Sequence, residues 1–420
     1  MLSVLTAKYL GPEEFGLFNF IVAFTAFFHI VTSVGYEATL VKSFLENPET
    51  KKKILSTSIW LRFFVSILML GLILLLVPIF KPGNESVLVL AFFFGLGFIL
   101  QALENIDYWN QATQEISKTV IVRFISFLIT SIFRLWLIYS EKSLVWFAIS
   151  FTVESLLNSF LLLSFLKEKS GIRFLLNFDS KIASRLLKMG FPMILSLIFL
   201  SLQAKVDQLM ISQYLGDKDL GLYSVAFRIY EVILFFPTAL AAAAFPSLIL
   251  HYSKSKPVFF EYVQSFMNFT FLCGILGSAG LYFFADPIIQ YSFGIKYTQS
   301  AQLLSIIGFN LVCGFWGALV NPIILVFGKP NILLLKNFMA AVLVFTLNSF
   351  LIPKFGLKGA CFTALTVSFL SNFVFNLAFS ETRNLFFIQL KAIGNFATGV
   401  SFVELRDKSN LLLSANNQSK

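Results

Sequence analysis

The chain has 420 residues, 57% hydrophobic and only 13% charged, with a mean hydropathy of +0.81. Soluble domains carry about 25% charged residues, so a soluble globular protein is excluded and an all-α polytopic membrane protein is implied. The net charge of +10 does not imply nucleic acid as a partner, because the cations sit in short loops between apolar runs, where they act as topology signals.

Apolar runs long enough to span fall at roughly 15–36, 56–80, 86–112, 117–139, 143–166, 186–213, 220–249, 258–284, 300–328, 331–352 and 358–380. A span takes about 20 residues as a helix. The runs are long and do not alternate polar with apolar, so they read as helices and not as barrel strands. Eleven full spans result, and residues 1–10 read as the tail of a twelfth. The 53 phenylalanines fill lipid-facing positions in the simplest reading. A stacking surface for substrate is the alternative.

One turn is written twice. KYLGPEEFGLF (Lys8–Phe18) returns 205 residues later, without a gap, as QYLGDKDLGLY (Gln213–Tyr223). In the second copy the turn closes a span that starts near Lys188. The matching start in the first copy falls before Met1, so the first helix of that half is expected to be largely missing. Six spans per half is an even number and gives both halves the same orientation. Two six-helix bundles related by a pseudo-twofold axis along the membrane normal are therefore expected. The expected domains are an N-terminal lobe at 1–166, a basic linker at 167–187, a C-terminal lobe at 188–382, and an interfacial or loose tail at 383–420. The segment Lys167 to Lys188 carries six cations and reads as an amphipathic surface helix.

Counted by alternate sides, nineteen Lys and Arg lie on the side of the linker and tail, and seven on the other. The richer side faces the cytoplasm. This places the protein in the cytoplasmic (inner) membrane as a multi-pass chain with a cytoplasmic C-terminus.

Six cations lie inside spans: Arg62, Arg123, Arg134, Lys205, Arg228 and Lys336. Five acids do too: Glu104, Asp107, Glu154, Asp207 and Glu231. A charge at mid-bilayer costs about 2.5–3.5 kcal/mol on insertion scales, so each must snorkel, pair or face water. Arg62, Arg123 and Lys336 lie five or six residues from a cytoplasmic helix end, within reach of headgroups. Arg134 is similar at the outer end. Arg123 and Arg134 are eleven apart and return to nearly one helix face, as if lining a groove. Lys205, Asp207, Arg228 and Glu231 flank the second turn at similar depth. An ion-pair cluster and the lining of a wet cavity both fit them. Arg228 is the strongest candidate for an anion contact, since a guanidinium can fork onto phosphate. Glu154 is deep in its span with Asn158 one turn on. It reads either as a protonatable, ion-coupling group or as a packing residue hydrogen-bonded to Asn158.

Enzymatic signals fail. Asp217-Lys218-Asp219 matches the D-x-D of metal-dependent glycosyltransferases, but in a tight turn with no nucleotide-binding domain around it. His29 and His251 have no partner at metal-ligand or triad spacing, and no phosphate-binding Gly loop occurs. Cys273, Cys313 and Cys361 read as small buried hydrophobes. Gly274, Gly277 and Gly280 form a small-residue face of the kind that packs helices. No cofactor or metal is expected.

AKYLGPEEFGLFNFIVAF near the start, WLRFF at the head of a span, and VDQLMISQYLGDKDLGLYSVAFRIYEVI followed by Pro237 resemble the polysaccharide (O-antigen type) flippase family, within the exporter superfamily that also holds multidrug exporters and lipid II flippases. The likeness runs from Met1 to about Ser380. It implies two lobes rocking around a central cavity, a substrate made of an oligosaccharide on polyprenyl pyrophosphate, and basic residues in that cavity, with Arg228 where the motif has its Arg. Lys205, Arg62, Arg123 and Arg134 join Arg228 as substrate-binding candidates, and Glu154, Asp207 and Glu231 are candidates for ion coupling. Membrane lipids, a polysaccharide polymerase and glycosyltransferases are the implied partners. The physics agrees: a sugar-diphosphate cannot cross hydrocarbon unaided, and carrying it needs no covalent chemistry. Two alternatives remain. One is a cation-coupled exporter of drugs or other small molecules, which should prefer acidic cavity residues. The other is a membrane polysaccharide polymerase or ligase, which should carry a large outer loop.

Overall fold

The structure, a computed structural model, describes residues 2–166 and 173–399. In hydrocarbon each backbone N–H and C=O must be satisfied inside its own segment, and among the described residues every regular element is helical. In chain order these are α1 (Leu2–Thr32), α2 (Tyr36–Glu46), α3 (Lys51–Phe80), α4 (Glu85–Leu100), α5 (Asn105–Ala112), α6 (Ile116–Tyr139), α7 (Leu144–Phe165), α8 (Ser180–Tyr214), α9 (Asp217–Lys254), α10 (Lys256–Phe293), α11 (Thr298–Gly308), α12 (Asn310–Val326), α13 (Pro330–Phe355), α14 (Leu357–Phe369), α15 (Phe375–Ala378) and α16 (Arg383–Ala397). Among the described residues ten helices are long and apolar enough to span, α4 with α5 and α14 with α15 each counting as one. The α11–α12 pair, bent by 52°, makes up to eleven. The chain is a multi-pass membrane protein.

Breaks in the helices follow local chemistry. In α1 the backbone leaves helical geometry at Gly11 (φ 75°), and Pro12 then opens the next segment, the position where a missing N–H costs nothing. Val34 (φ 52°) and Gly35 (φ 64°) separate α1 from α2. Asn105 opens α5 after a 3-10 turn, and Asn310, 205 residues on, opens α12 after its bend. Each half of the sequence thus carries a span broken at an asparagine.

Packing divides the chain into two compact units, Met1–Gly221 and Leu222–Lys420. The first holds α1 to α8 and the opening turn of α9. It includes α8 because glycines let backbones touch: Gly190 lies so close to Val34 that a Cβ there would collide with the Val34 carbonyl, and one on Gly35 would come within 2.6 Å of the Gly190 oxygen. The two copies of the repeated turn meet in this unit. A Cβ on Gly16 would strike the carbonyl of Asp217, and one on Gly221 would strike that of Pro12. Gly221 is Gly16 shifted by 205, and Asp217 is Pro12 shifted by 205. The contact is therefore reciprocal, as at an isologous interface. Asp217 also accepts from Lys81 Nζ at 2.7 Å and Ser212 Oγ at 2.6 Å, which gives the D-x-D aspartate a structural occupation.

The second unit is centred on aromatic rings. Trp316 stacks between Phe271 (centroids 5.1 Å apart, 17°) and Phe373 (5.6 Å, 19°), and Phe386 of α16 closes on Phe373 at 4.7 Å. Residues 370–374, between α14 and α15, form a π-helical turn.

The linker is helical in part: its residues 180–187 are the opening turns of α8, with Ala183 and Leu186 buried and Lys181 and Arg185 exposed. Residues 173–176 make one 3-10 turn, and α8 starts at Ser180 because Asp179 Oδ1 accepts from the N–H groups of Lys181 and Ile182. The approach to α8 is tied down on α3: Trp60 Nε1 and Ser56 Oγ donate to the Leu175 carbonyl, Ser56 also reaches that of Asn177, and Thr57 Oγ1 accepts from Asp179 N–H. Linker residues 167–172 lie outside the described residues. Of the tail, 383–397 form α16, which is docked on the second unit through buried Leu385, Gln389 and Ala392. Residues 400–420 lie outside the described part.

Candidate functional site

In the first unit, polar side chains of five helices meet inside apolar spans. On α3, Arg62 is 4% exposed. Its Nη1 donates to Asn105 Oδ1 at 3.0 Å, and Asn105 Nδ2 donates to Ser58 Oγ at 3.2 Å. Breaking the α4–α5 run at this point turns the Asn105 amide toward α3. Arg62 Nε has no acceptor among the described residues. On α1, His29 Nε2 shares a 2.9 Å hydrogen bond with Gln101 Oε1, and Gln101 Nε2 donates to Ser155 Oγ of α7 at 3.2 Å.

Two further arginines inside spans of this unit, Arg123 and Arg134, are on α6, about 16 Å apart along the axis, and pair with different neighbours. Arg123 Nη2 donates to Asp107 Oδ2 of α5 at 2.6 Å. The carboxylate side chain is 10% exposed and the guanidinium side chain 63%. Arg134 Nη2 donates to Glu154 Oε2 of α7 at 2.7 Å, and its Nε donates to Ser150 Oγ at 2.9 Å. Glu104 is within electrostatic reach of Arg62 and Arg123. Three arginines thus face three carboxylates, Glu104, Asp107 and Glu154. Balanced pairing from adjacent helices is what allows charge to persist in hydrocarbon.

Asn158 does not hold Glu154. The carboxylate instead accepts from the α6 guanidinium of Arg134 at 2.7 Å, a stronger charge-assisted donor than the Asn158 amide N–H. Arg123 and Arg134 share a helix and are each committed to a carboxylate. Of the charges near the second turn, Asp207 is buried and accepts from Gln208 N–H at 2.7 Å, and Lys205 is half-buried. Both belong to the first unit. In the second unit Arg228 faces Glu231, one turn on, at 3.7 Å, with both side chains substantially exposed.

In the sequence Lys336 of α13 reads as a residue within reach of headgroups. It is 1% exposed. Its Nζ donates to Asn376 Oδ1 at 2.8 Å, Asn376 Nδ2 donates to Gln389 Oε1 at 3.0 Å, and Gln389 Nε2 donates to the Asn372 carbonyl at 2.9 Å. The π turn places Asn372 and Asn376 on this network, and α16 closes it. Asn376 and Gln389, polar residues outside the charged set, were the only available signal. Of the remaining singled-out residues, His251 stacks on Tyr262 at 4.8 Å, and of the three cysteines Cys361 alone is buried. Among the described residues no group of three His, Cys, Asp or Glu could hold a metal.

Comparison with known proteins adds family and fold. Residues 2–249 match the family model described as polysaccharide biosynthesis protein. Over 170 residues the chain is 26% identical to a probable low-salt glycan biosynthesis flippase of Haloferax volcanii, a match over 40% of this chain and 36% of that protein. Over 305 residues it is 21% identical to the teichuronic acid biosynthesis protein TuaB of Bacillus subtilis, covering 71% of this chain and 60% of that one. The matches thus span about a third and three-fifths of those relatives' lengths. Among solved structures, an inward-facing multidrug resistance transporter of the MATE family superposes with a TM-score of 0.73 at 14% identity, over 93% of this chain and 94% of that one. The lipid II flippase MurJ, in an inward closed conformation, gives 0.71 at 17% identity, over 93% and 87%. At these identities the likeness is one of fold.

Proposed function

The chain belongs to the polysaccharide biosynthesis protein family, and from that premise we propose that it flips an oligosaccharide carried on polyprenyl pyrophosphate across the cytoplasmic membrane, by alternating access between lobes at 1–166 and 188–382. The observation that carries the reading is the arginine set held inside spans, above all Arg123. Its guanidinium is largely open while one edge rests on a buried carboxylate. A guanidinium fixed on one side and open on the other suits a diphosphate, which needs forked donors as it leaves water. Arg123, Arg134, Arg62, Lys205 and Arg228 are the substrate-binding candidates, and Glu154, Asp207 and Glu231 those for coupling to an ion gradient. The C-terminus is assigned to the cytoplasm, and polymerase and glycosyltransferases to the neighbouring steps of the same synthesis.

A second reading, cation-coupled export of small molecules, draws on the carboxylates Glu104, Asp107 and Glu154 beside those arginines. One experiment separates the two. The full chain is reconstituted in liposomes, and exposure of a lipid-linked oligosaccharide to an impermeant lectin is followed beside efflux of a lipophilic cation. Flipping of the sugar lipid, slowed in Arg123→Ala and Arg134→Ala, is the expected result. Cation efflux without sugar-lipid movement would replace it with the second reading.

A further inference from the structure

The polar interior of the first unit holds a carboxylate unlike the others. Of the acids inside spans, Asp107 accepts from Arg123, Glu154 from Arg134 and Asp207 from the Gln208 N–H, and Glu231 faces Arg228. Glu104 is half-buried, and among the described residues its carboxylate takes part in no hydrogen bond and no ion pair. Its neighbours in the chain are engaged. Gln101, three residues back in the same 3-10 turn, bonds His29 of α1 and Ser155 of α7, and Asn105 bonds Arg62 and Ser58 of α3. Residues three apart eclipse in a 3-10 helix, so Glu104 stands on the Gln101 side of the turn.

The surrounding helices bring charge to this point. Arg62 of α3, Asp107 of α5, Arg123 of α6 and Glu154 of α7 all act on Glu104, and His29 of α1 and Tyr36 of α2 are within reach of Arg62. The one acid of α4, Glu85, is at that helix's far end. Arg62 Nε lacks an acceptor among the described residues, yet does not take the free carboxylate. The three arginines and three carboxylates of this interior balance while Glu104 is ionised. A proton on Glu104 leaves one positive charge in excess, which suits an anion arriving at the open guanidinium of Arg123.

We propose that Glu104 is the proton site linked to diphosphate binding: its carboxylate takes up one proton as the anion lands on Arg123 and gives it back when the anion leaves. The inference rests on the functional reading above and adds the group that keeps charge in balance. The proton comes from solvent and returns to it, and no bond but the carboxyl O–H forms or breaks. A carboxylate held by a guanidinium, as Asp107 and Glu154 are, loses a charge-assisted bond when it is protonated. Glu104 loses none. Two anions brought together favour neutralising one of them, and by linkage proton and diphosphate strengthen each other's binding by the same factor. A metal cation fits less well, since two guanidinium groups repel it and, among the described residues, no group of three His, Cys, Asp or Glu could hold one.

The test is calorimetric binding to the full chain in lipid nanodiscs over a pH series. The probe is a farnesyl diphosphate sugar, a soluble diester whose phosphates do not titrate near neutrality. Affinity should fall on the alkaline side by up to about tenfold per pH unit, the slope of one linked proton. Runs in two buffers of different protonation heat should show that proton being taken up. Glu104→Gln keeps the shape of the protonated group. It should bind without a slope, and at alkaline pH more tightly than the unaltered chain, a gain that loss of a merely structural residue would not give. His29→Asn, which removes the nearby imidazole, should keep the slope and decides the matter if Glu104→Gln does not fold. A slope that survives Glu104→Gln or vanishes in His29→Asn, or binding that needs sodium at fixed pH, would overturn the proposal. Probe binding without proton uptake sinks this inference and leaves the functional reading standing. No binding of the probe at any pH removes the functional reading itself.

Discussion

The two compact units hold themselves together by different means. The first brings backbones into contact through Gly16, Gly35, Gly190 and Gly221 and neutralises each α6 arginine with a carboxylate of a neighbouring helix. The second interleaves Phe271, Trp316, Phe373 and Phe386 and surrounds its buried cation with amides. In lipid there is little hydrophobic gain from helix association, so close packing and interhelical hydrogen bonds must supply it. The difference shows two ways of doing so. Opposite charges fix helix against helix pairwise. An amide network fixes several segments at once and depends on all of them.

The comparison breaks most readily at its closest contact. Gly16→Leu should abolish folded protein, because the clash is with backbone and cannot be relieved by a rotamer change. Overpacking alone costs about 1–3 kcal/mol and this exceeds it. Loss of the monodisperse peak on size exclusion in detergent is the readout. Trp316→Ala removes the middle ring of the stack and should cost about 3–5 kcal/mol, measured by denaturant titration in micelles. Asn376→Leu leaves Lys336 buried with no acceptor, a loss of about 1.5–3 kcal/mol for a hydrogen bond to a charged group. Adding Lys336→Leu should recover most of it, since an apolar pair replaces a buried polar one at little cost. In the first unit, a double-mutant cycle on Arg134 and Glu154 should give a coupling of about 1 kcal/mol. A value near zero would remove the charge-pair half of the contrast. The smallest effect belongs to Glu381. Hydrogen bonds from Ser380 and Lys329 hold its carboxyl down to about 2 from 4.5. A depressed carboxyl stabilises above its unfolded value, so this contribution is full above about pH 4.5 and is lost as pH falls toward 2. Glu381→Gln should flatten the acid limb of a melting-temperature profile slightly.

Much of the architecture was legible because membrane physics writes it in long strokes. Span number, helical class and the break near Gly11 followed from hydropathy and from one repeated turn. Partners of charged residues were not. Glu154 has Asn158 one turn away, yet its partner is Arg134, twenty residues back on another helix. Lys336 looks the same in sequence whether it reaches headgroups or is sealed in by Gln389, fifty-three residues on. The start of α8 was obscured because six cations suggested a surface helix, whereas the capping carboxylate of Asp179 and the anchor on Trp60 decided it.

The meeting of the two turns has a practical consequence. Each copy lends both a glycine and the carbonyl opposite the other's glycine, so exchanging the copies maps the joint onto itself. A side chain added at Gly16 and one added at Gly221 therefore meet equivalent backbone carbonyls, those of Asp217 and Pro12. The protein thus contains its own matched control, and any inequality between the Gly16 and Gly221 variants measures how far the duplicated segments have drifted from equivalence.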